Sequence, residues 1–392
     1  MRYIRFLKTP RIVHDKKRPG VHVSCLITIT SDLGDSFLPY DLTLSAELIE
    51  YEQLAGNPDT EAEASDLKLL HAFPNNVITW KTIHWKAGLR SLAVTIPLSR
   101  TYHQNGPLIV RIGTEPKSPC DELDKLLQHD SRGVVSVWSA PFTLETNSPG
   151  LKTAERRFKI GDSIHHILEE TGESIARHLW DAGVTLSFQL PYLLTSSSVF
   201  DKAFTPLQNL DTNDLADSQN AIRPLHIIEL GTGCGIVGIS LSHLLPHSRI
   251  SLTDLPEAHD IVALNTSLAS KTRTNDATLS FVELDWDSPG PLPPPSNNVD
   301  LVIAADCTYN ADSSPAFVHT IQAIAARSPD VTVAVAMKKR HESEDVFFEL
   351  MRKAKFRSMN AVCFPLPGDE RAGEEGVEVW VYEYHGVSER GR

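Results

Sequence analysis

The chain has 392 residues, enough for two ordinary domains. With 41% hydrophobic residues it can fill a core, which excludes global disorder, and a net charge of −13 argues against a broad electrostatic grip on nucleic acid. Cys25, Cys120, Cys234, Cys307 and Cys363 are widely spaced and form no C-x-x-C pair, which excludes a disulfide framework or a zinc ribbon and fits a reducing compartment.

Met1 to Lys8 has no apolar core of a signal peptide, and no apolar run reaches the length of a membrane span. Residence in the cytoplasm, and also in the nucleus, is the expectation, with no membrane partner. From Val21 to Glu145 the chain reads as about seven short strands separated by turn signals: 21–30, 42–49, 77–85, 91–97, 108–112, 134–138 and 142–145. The pattern predicts an antiparallel sandwich over residues 1–150, a domain suited to recognising a partner or substrate. Acidic, polar stretches near 54–66 and 115–132 read as surface loops. Trp80, Trp85 and Trp138 read as packing residues, and His84 and His103 have no partner at metal-ligand spacing. Asn147-Ser-Pro-Gly150 marks a domain boundary.

Beyond it, Arg156–Ile160 predicts a short strand, and 161–183 shows a helix-like spacing of Ile164, Ile167, Leu168, Ile175, Ala176, Leu179 and Trp180. Residues 196–222 are rich in Ser, Asp, Asn and Thr without any period, as in a mobile surface insertion. From Pro224 strands and helices alternate. Seven strands are predicted at 225–230, 249–253, 279–284, 301–305, 331–336, 360–364 and 377–384, with helices at 236–245, 257–268, 314–326 and 342–355. Continuous apolar strands alternating with helices predict an α/β fold, a Rossmann-like, doubly wound parallel sheet over 151–392. The proline-rich segment 289–295 is a loop before the fourth of these strands.

The most informative stretch joins the first of those strands to its helix: Glu229-Leu-Gly-Thr-Gly-Cys-Gly235, followed by Ile236 to Leu245. Alternating glycines at 231, 233 and 235 allow unusual backbone angles and close approach of a ligand. The dinucleotide pattern G-x-G-x-x-G fails from Gly231, because Ile236 stands at the sixth position. A match from Gly233 through Gly238 lies inside the helix and is discounted. On its own the turn is also compatible with a purely structural corner. In doubly wound sheets ligands sit beyond the C-terminal strand ends, where the strand order reverses. Those ends carry Glu229 with the glycine turn, Asp254, Asp285-Trp286, and Ala305-Asp306-Cys-Thr-Tyr309. Asp254 suits ribose hydroxyls, and an acid beside an aromatic suits the amine and ring of an adenine.

These residues resemble the seven-β-strand S-adenosylmethionine-dependent methyltransferases, and more narrowly the lysine methyltransferase-like family 16. The matching pieces are Leu179-Trp-Asp-Ala182, Glu229 to Gly238, Leu252-Thr-Asp254, Glu283-Leu-Asp-Trp286 and Ala304-Ala-Asp-Cys-Thr-Tyr309, within residues 160–385. The resemblance implies that Trp180, Gly231, Gly233, Asp254, Trp286 and Ala305 contact S-adenosylmethionine. Glu229, Thr232 and Gly235 would complete the turn around its methionine end, with Asp285 beside the adenine. Asp306 and Tyr309 would face the substrate nitrogen, Asp306 orienting the amine and offsetting its charge, Tyr309 giving a hydroxyl or an aromatic face.

The implied reaction is methyl transfer to a protein lysine, whose ordinary pKa of about 10.4 requires it to lose a proton before attack. No metal is expected: His341-Glu342-Ser-Glu-Asp345 is not H-E-x-x-H. Lys338-Lys-Arg-His341 reads as a solvated strand end rather than a nucleic-acid patch. A small amine or RNA as acceptor, and an inactive methyltransferase-like interaction protein, are the alternatives.

Overall fold

The structure is a computed structural model. It describes residues 1–14, 20–50, 76–98, 106–143, 152–170, 175–195, 223–288, 290, 292–293, 298–369 and 375–386. The expected insertion at 196–222, the loop near 54–66 and the boundary at 147–150 lie outside these, as does much of the proline-rich segment.

The chain divides into two compact units. The first comprises Met1–Lys159, Ile164–Ser174 and Pro367–Glu374. Its strands are β1 (Arg2–His14), β2 (Val21–Thr30), β3 (Leu42–Glu50), β4 (Val77–Trp85), β5 (Leu92–Pro97), β6 (Leu108–Gly113), β7 (Val134–Val135), β8 (Val137–Ser139), β9 (Thr153–Ile160) and β10 (Ser163–Glu170). They form a four-stranded sheet, β5-β2-β1-β7, and a six-stranded sheet, β10-β9-β8-β6-β3-β4. Inward residues of both, among them Phe6, Ile27, Leu44, Trp85, Ile96 and Val110, share one core, so the unit is a β-sandwich. Trp85 and Trp138 are buried as expected, whereas Trp80 is half exposed. The loop expected over 115–132 contains a helical turn at Leu123–Leu126 and another at His129–Ser131.

Several sequence expectations change here. β1 has no counterpart among the predicted strands; its alternation is broken by irregularities between Phe6 and Arg11. The run 134–138 splits at Ser136 into β7 and β8, one in each sheet. Within the helix-like spacing over 161–183, Ser163–Glu170 is instead strand β10, whose buried His165, Ile167 and Glu169 follow a period of two, while Ile175–Arg177 is a short helical turn and a helix begins at Asp181. Because β9 pairs with β8, the chain leaves this unit after the β9–β10 hairpin rather than at Asn147–Gly150.

The second unit comprises Ile160–Ser163, Ile175–Leu366 and Glu375–Arg392. Its strands are β11 (Leu225–Leu230), β12 (Ser248–Asp254), β13 (Thr278–Glu283), β14 (Leu301–Ala305), β15 (Thr332–Met337), β16 (Phe356–Pro365) and β17 (Gly376–Tyr384). The helices are α1 (Asp181–Thr195), α2 (Ile236–Leu244), α3 (His259–Thr272), α4 (Ser314–Arg327) and α5 (Val346–Lys353). The seven strands stand in the order β13-β12-β11-β14-β15-β17-β16. β11 to β15 run parallel; β17 is antiparallel to its neighbours β15 and β16 and is the one reversed strand of the seven. The sheet is therefore Rossmann-like but mixed. β16 and β17 are too close in sequence for a parallel crossover, which needs about a dozen residues or more. Helix α1 is buried at nearly every position from Asp181 to Leu190, so it shows no amphipathic stripe to read. No helix of the described residues is long and apolar enough to cross a membrane.

Buried ion pairs staple the sandwich. The Arg156 Nε donates to Glu169 Oε1 at 2.8 Å, and its other nitrogens donate to the carbonyls of Ser136 and Ile4 at 2.7 Å each. Both partners are essentially fully buried. Removing one would strand the other charge in a medium that cannot solvate it. Glu169→Ala should therefore destabilise the protein by about 3–5 kcal/mol in chemical unfolding, while Glu169→Gln should cost less.

Candidate functional site

β11 lies between β12 and β14, so the chain crosses over in opposite directions on its two sides and a crevice opens at the strand ends. The glycine turn forms its floor. Gly231, Gly233 and Gly235 have φ of 64°, 54° and 82°. Such values strain residues that carry a Cβ. A Cβ on Gly231 would lie 2.6 Å from Cys307 Sγ and 3.4 Å from the Trp286 ring. The turn is closed by the Gly235 amide donating to the Thr232 carbonyl at 2.7 Å. Neighbouring groups hold it in place: the Gly233 amide donates to Asp254 Oδ2 at 2.7 Å, and Asn265 Nδ2 donates to the Cys234 carbonyl at 2.8 Å.

Gly238, discounted in the sequence, has a packing role. A Cβ there would come within 2.2 Å of Leu252 Cδ2 and 2.5 Å of Glu229 Oε2. Its absence lets α2 sit directly on β12, and the Gly238 amide donates to Glu229 Oε2 at 2.9 Å. Burial pushes the Glu229 carboxyl up to about 8, against the lowering effect of its hydrogen bonds.

A cavity of about 310 Å³ lies over this floor, within the range of about 300–1,000 Å³ common for small-molecule sites. Its lining includes Trp180, Gly231, Gly233, Asp254, Asp285, Trp286, Ala305, Asp306 and Tyr309, which the sequence singled out. Glu229, Thr232 and Gly235 do not line it: the first two are buried beneath the turn and the third caps α2. The sequence reading missed Ala176, Cys307 and Asn310 on the wall. Burial, with nearby carboxylates, keeps the Cys307 thiol well above its usual pKa. Burial also raises Asp254, whose two oxygens accept the Gly233 and Leu255 amides.

At the far end Asp306 closes β14 with a φ of 57°, unusual for a residue with a Cβ. Its Oδ1 accepts Arg340 Nη1 at 2.8 Å, and its Oδ2 accepts the Ala182 amide at 3.1 Å and Arg340 Nη2 at 3.3 Å. Arg340 also lies 5.8 Å over the Trp180 ring. Lys338 Nζ donates to the buried Asp181 at 2.7 Å. The run 338–341 is thus not a solvated strand end: two of its cations are committed to buried carboxylates. Their spacing carried no signal, because both partners come from distant strand and helix ends. Tyr309 stands at the cavity wall with 56% of its surface exposed.

The mixed seven-stranded sheet, its glycine corner and the acids at its strand ends define a Rossmann-like methyltransferase domain. The comparison with known families is more specific. Residues 161–354 match the lysine methyltransferase family. The family depends on S-adenosylmethionine. A UPF0665 family protein of Schizosaccharomyces pombe is 24% identical over 351 residues, covering 88% of this chain and 91% of that one. EEF1A lysine methyltransferase 3 of Xenopus tropicalis is 30% identical over 125 residues, 32% of this chain and 53% of its own length. Protein-lysine N-methyltransferase EFM6 of Saccharomyces cerevisiae is 27% identical over 141 residues, 32% of this chain and 55% of its own. The chain therefore spans about half the length of these two methyltransferases.

Two outcomes test this geometry. Glu229 binds its proton more tightly folded than unfolded, so its contribution to stability is present below its ordinary value of 4.5 and is lost as pH rises through about 8. In thermal melts, Glu229→Gln should gain on the wild type between about pH 5.5 and 8.5; a constant difference would contradict a neutral Glu229. Gly231→Ala, strained in φ and crowded by Cys307, should lower stability by about 1–3 kcal/mol, with Cys307→Ala recovering part of the loss.

Proposed function

We propose that this chain is an S-adenosylmethionine-dependent protein-lysine N-methyltransferase. The observation that carries the reading is the single cavity at the switch point, which gathers the glycine floor, Trp180, Asp254, Trp286, Asp306 and Tyr309. The cavity suits the cofactor on its own chemistry. The missing Cβ at Gly231 leaves a cradle between Cys307 and Trp286. Trp286 Nε1 is buried with no partner among the described residues, so it can donate to a ligand. Gly231 and Gly233 would hold the methionine end, Asp254 the ribose, and Asp285 with Trp286 the adenine. When bound, S-adenosylmethionine supplies a methyl group on a sulfonium centre, open to displacement by an amine lone pair.

The residues of this chain position and desolvate. The Ala305 and Cys307 side chains exclude water from the transfer end, and desolvation lowers the pKa of an incoming lysine toward its nucleophilic form. The protonated, buried Cys307 is no nucleophile, so transfer is direct and alignment of donor and acceptor supplies much of the rate. Tyr309, half in solvent at the mouth, offers its ring to the aliphatic stem or charge of the acceptor. A protein acceptor is favoured because the named relatives are protein-lysine methyltransferases.

Calorimetry should show S-adenosylmethionine binding, and labelled cofactor should mark a protein band in lysate from cells lacking the enzyme. Absence of heat at high-micromolar cofactor would overturn the reading. Label found only in nuclease-sensitive or small-molecule fractions would keep the methyltransferase and refute the lysine acceptor.

A further inference from the structure

The carboxylate of Asp306 faces the cavity, yet its capacity to accept hydrogen bonds is used up. A carboxylate offers about four lone-pair positions. Four donors approach this one: Arg340 Nη1 at 2.8 Å, the Ala182 amide at 3.1 Å, Arg340 Nη2 at 3.3 Å and, more weakly, the Lys338 amide at 3.5 Å. The Asp306 side chain is 5% exposed and that of Arg340 16%, so the pair is little screened by solvent.

Neighbouring ionisable groups are held by partners or stay neutral. Lys338, just beyond the end of β15, is paired with Asp181 at the start of α1. From β14, Cys307 is held as a neutral thiol and the Tyr309 phenol is raised by burial and nearby negative charge. Asp254 is held by the amides of Gly233 and Leu255 at the end of β12.

We propose that Arg340 is a positioning residue that neutralises Asp306, so that the transfer end of the cavity offers no free carboxylate and receives the acceptor amine in its uncharged form. This rests on the methyltransferase reading of the same cavity. An unpaired carboxylate beside the amine would hold it as an ammonium: an opposite charge within about 4–6 Å favours the charged form by about 1–3 pKa units. That would work against the lone pair needed for attack. The guanidinium suits the task because its planar fork engages both oxygens at once and its own proton is never lost. It is further fixed over Trp180, which lines the same cavity. Asp306 then acts through its backbone and its bond to the Ala182 amide, tying the end of β14 to the first turn of α1.

The charge of the transfer end can be read without knowing the substrate. Sinefungin has, in place of the neutral sulfur of S-adenosylhomocysteine, a carbon that bears a protonated amine. The ratio of their dissociation constants on the intact protein, by calorimetry, therefore reports the local charge. Arg340→Met should raise the preference for sinefungin by about tenfold, Asp306→Asn should move it the other way, and Arg340→Lys, which keeps the charge but not the fork, should fall between Arg340→Met and the wild type. An unchanged ratio in Arg340→Met, with S-adenosylhomocysteine still bound, would overturn the proposal. If Arg340→Met fails to fold, Asp306→Asn decides alone: a ratio equal to the wild type overturns it and a lower one supports it. If the wild type binds neither compound, the cofactor reading itself fails and the inference with it.

Discussion

The second unit depends on one close approach, that of helix α2 to strand β12 at Gly238. The missing Cβ leaves room for Leu252 and for Glu229 Oε2, and the Gly238 amide donates to that oxygen. A helix pressed this closely onto its strand must begin close to the end of β11, and only a glycine turn makes so short a corner. Gly235, in the left-handed region, starts the helix. Gly231 and Gly233 then carry the backbone beneath the cavity. The ligand floor is thus a consequence of helix–sheet packing, and the sheet order places it at the reversal between β12 and β14.

Much of the fold was legible because the alternation of apolar runs in the second unit is set by burial on both faces of a sheet. The strand from Leu225 to Leu230 and the helices after it follow that pattern closely. Legibility failed where periodicity misleads. In β10 the polar His165 and Glu169 point inward, Glu169 because Arg156 neutralises it, so the strand reads as helix. Helix α1 is buried nearly all round, with Asp181, Thr185 and Ser187 among its buried residues, so no stripe marks it. The parallel arrangement failed at β16 and β17, where the short connection decides direction.

The candidate site was legible wherever a strand end supplies the side chain. Asp254, Trp286 and Asp306 each follow an apolar run, and the architecture brings them to one crevice. What lies beneath was not legible. Glu229 sits beside the glycines in sequence but alternation turns its side chain under the turn, toward Gly238. Arg340 and Lys338 sit in a basic run that looks solvated, and only the tertiary fold sets Asp306 and Asp181 against them. Packing partners distant in sequence leave no periodic trace. Asn265, which holds the Cys234 carbonyl from the middle of α3, is another such residue.

The acids of this unit divide by environment. Glu229 is buried without a cation and is pushed up to about 8, so near neutral pH it is largely protonated. Asp254 is raised by burial but anchored by two amides, which leaves lone pairs for ligand hydroxyls. Asp306 and Asp181 are each matched by a cation. Carboxylates of one type thus serve as a neutral packing group, a ligand acceptor and paired braces. With Asp306 paired to Arg340, the end of the cavity at β14 offers the acceptor no free carboxylate. Selection of the acceptor must then fall to the mouth, where Tyr309 is exposed and the surrounding surface meets whatever chain presents the nitrogen.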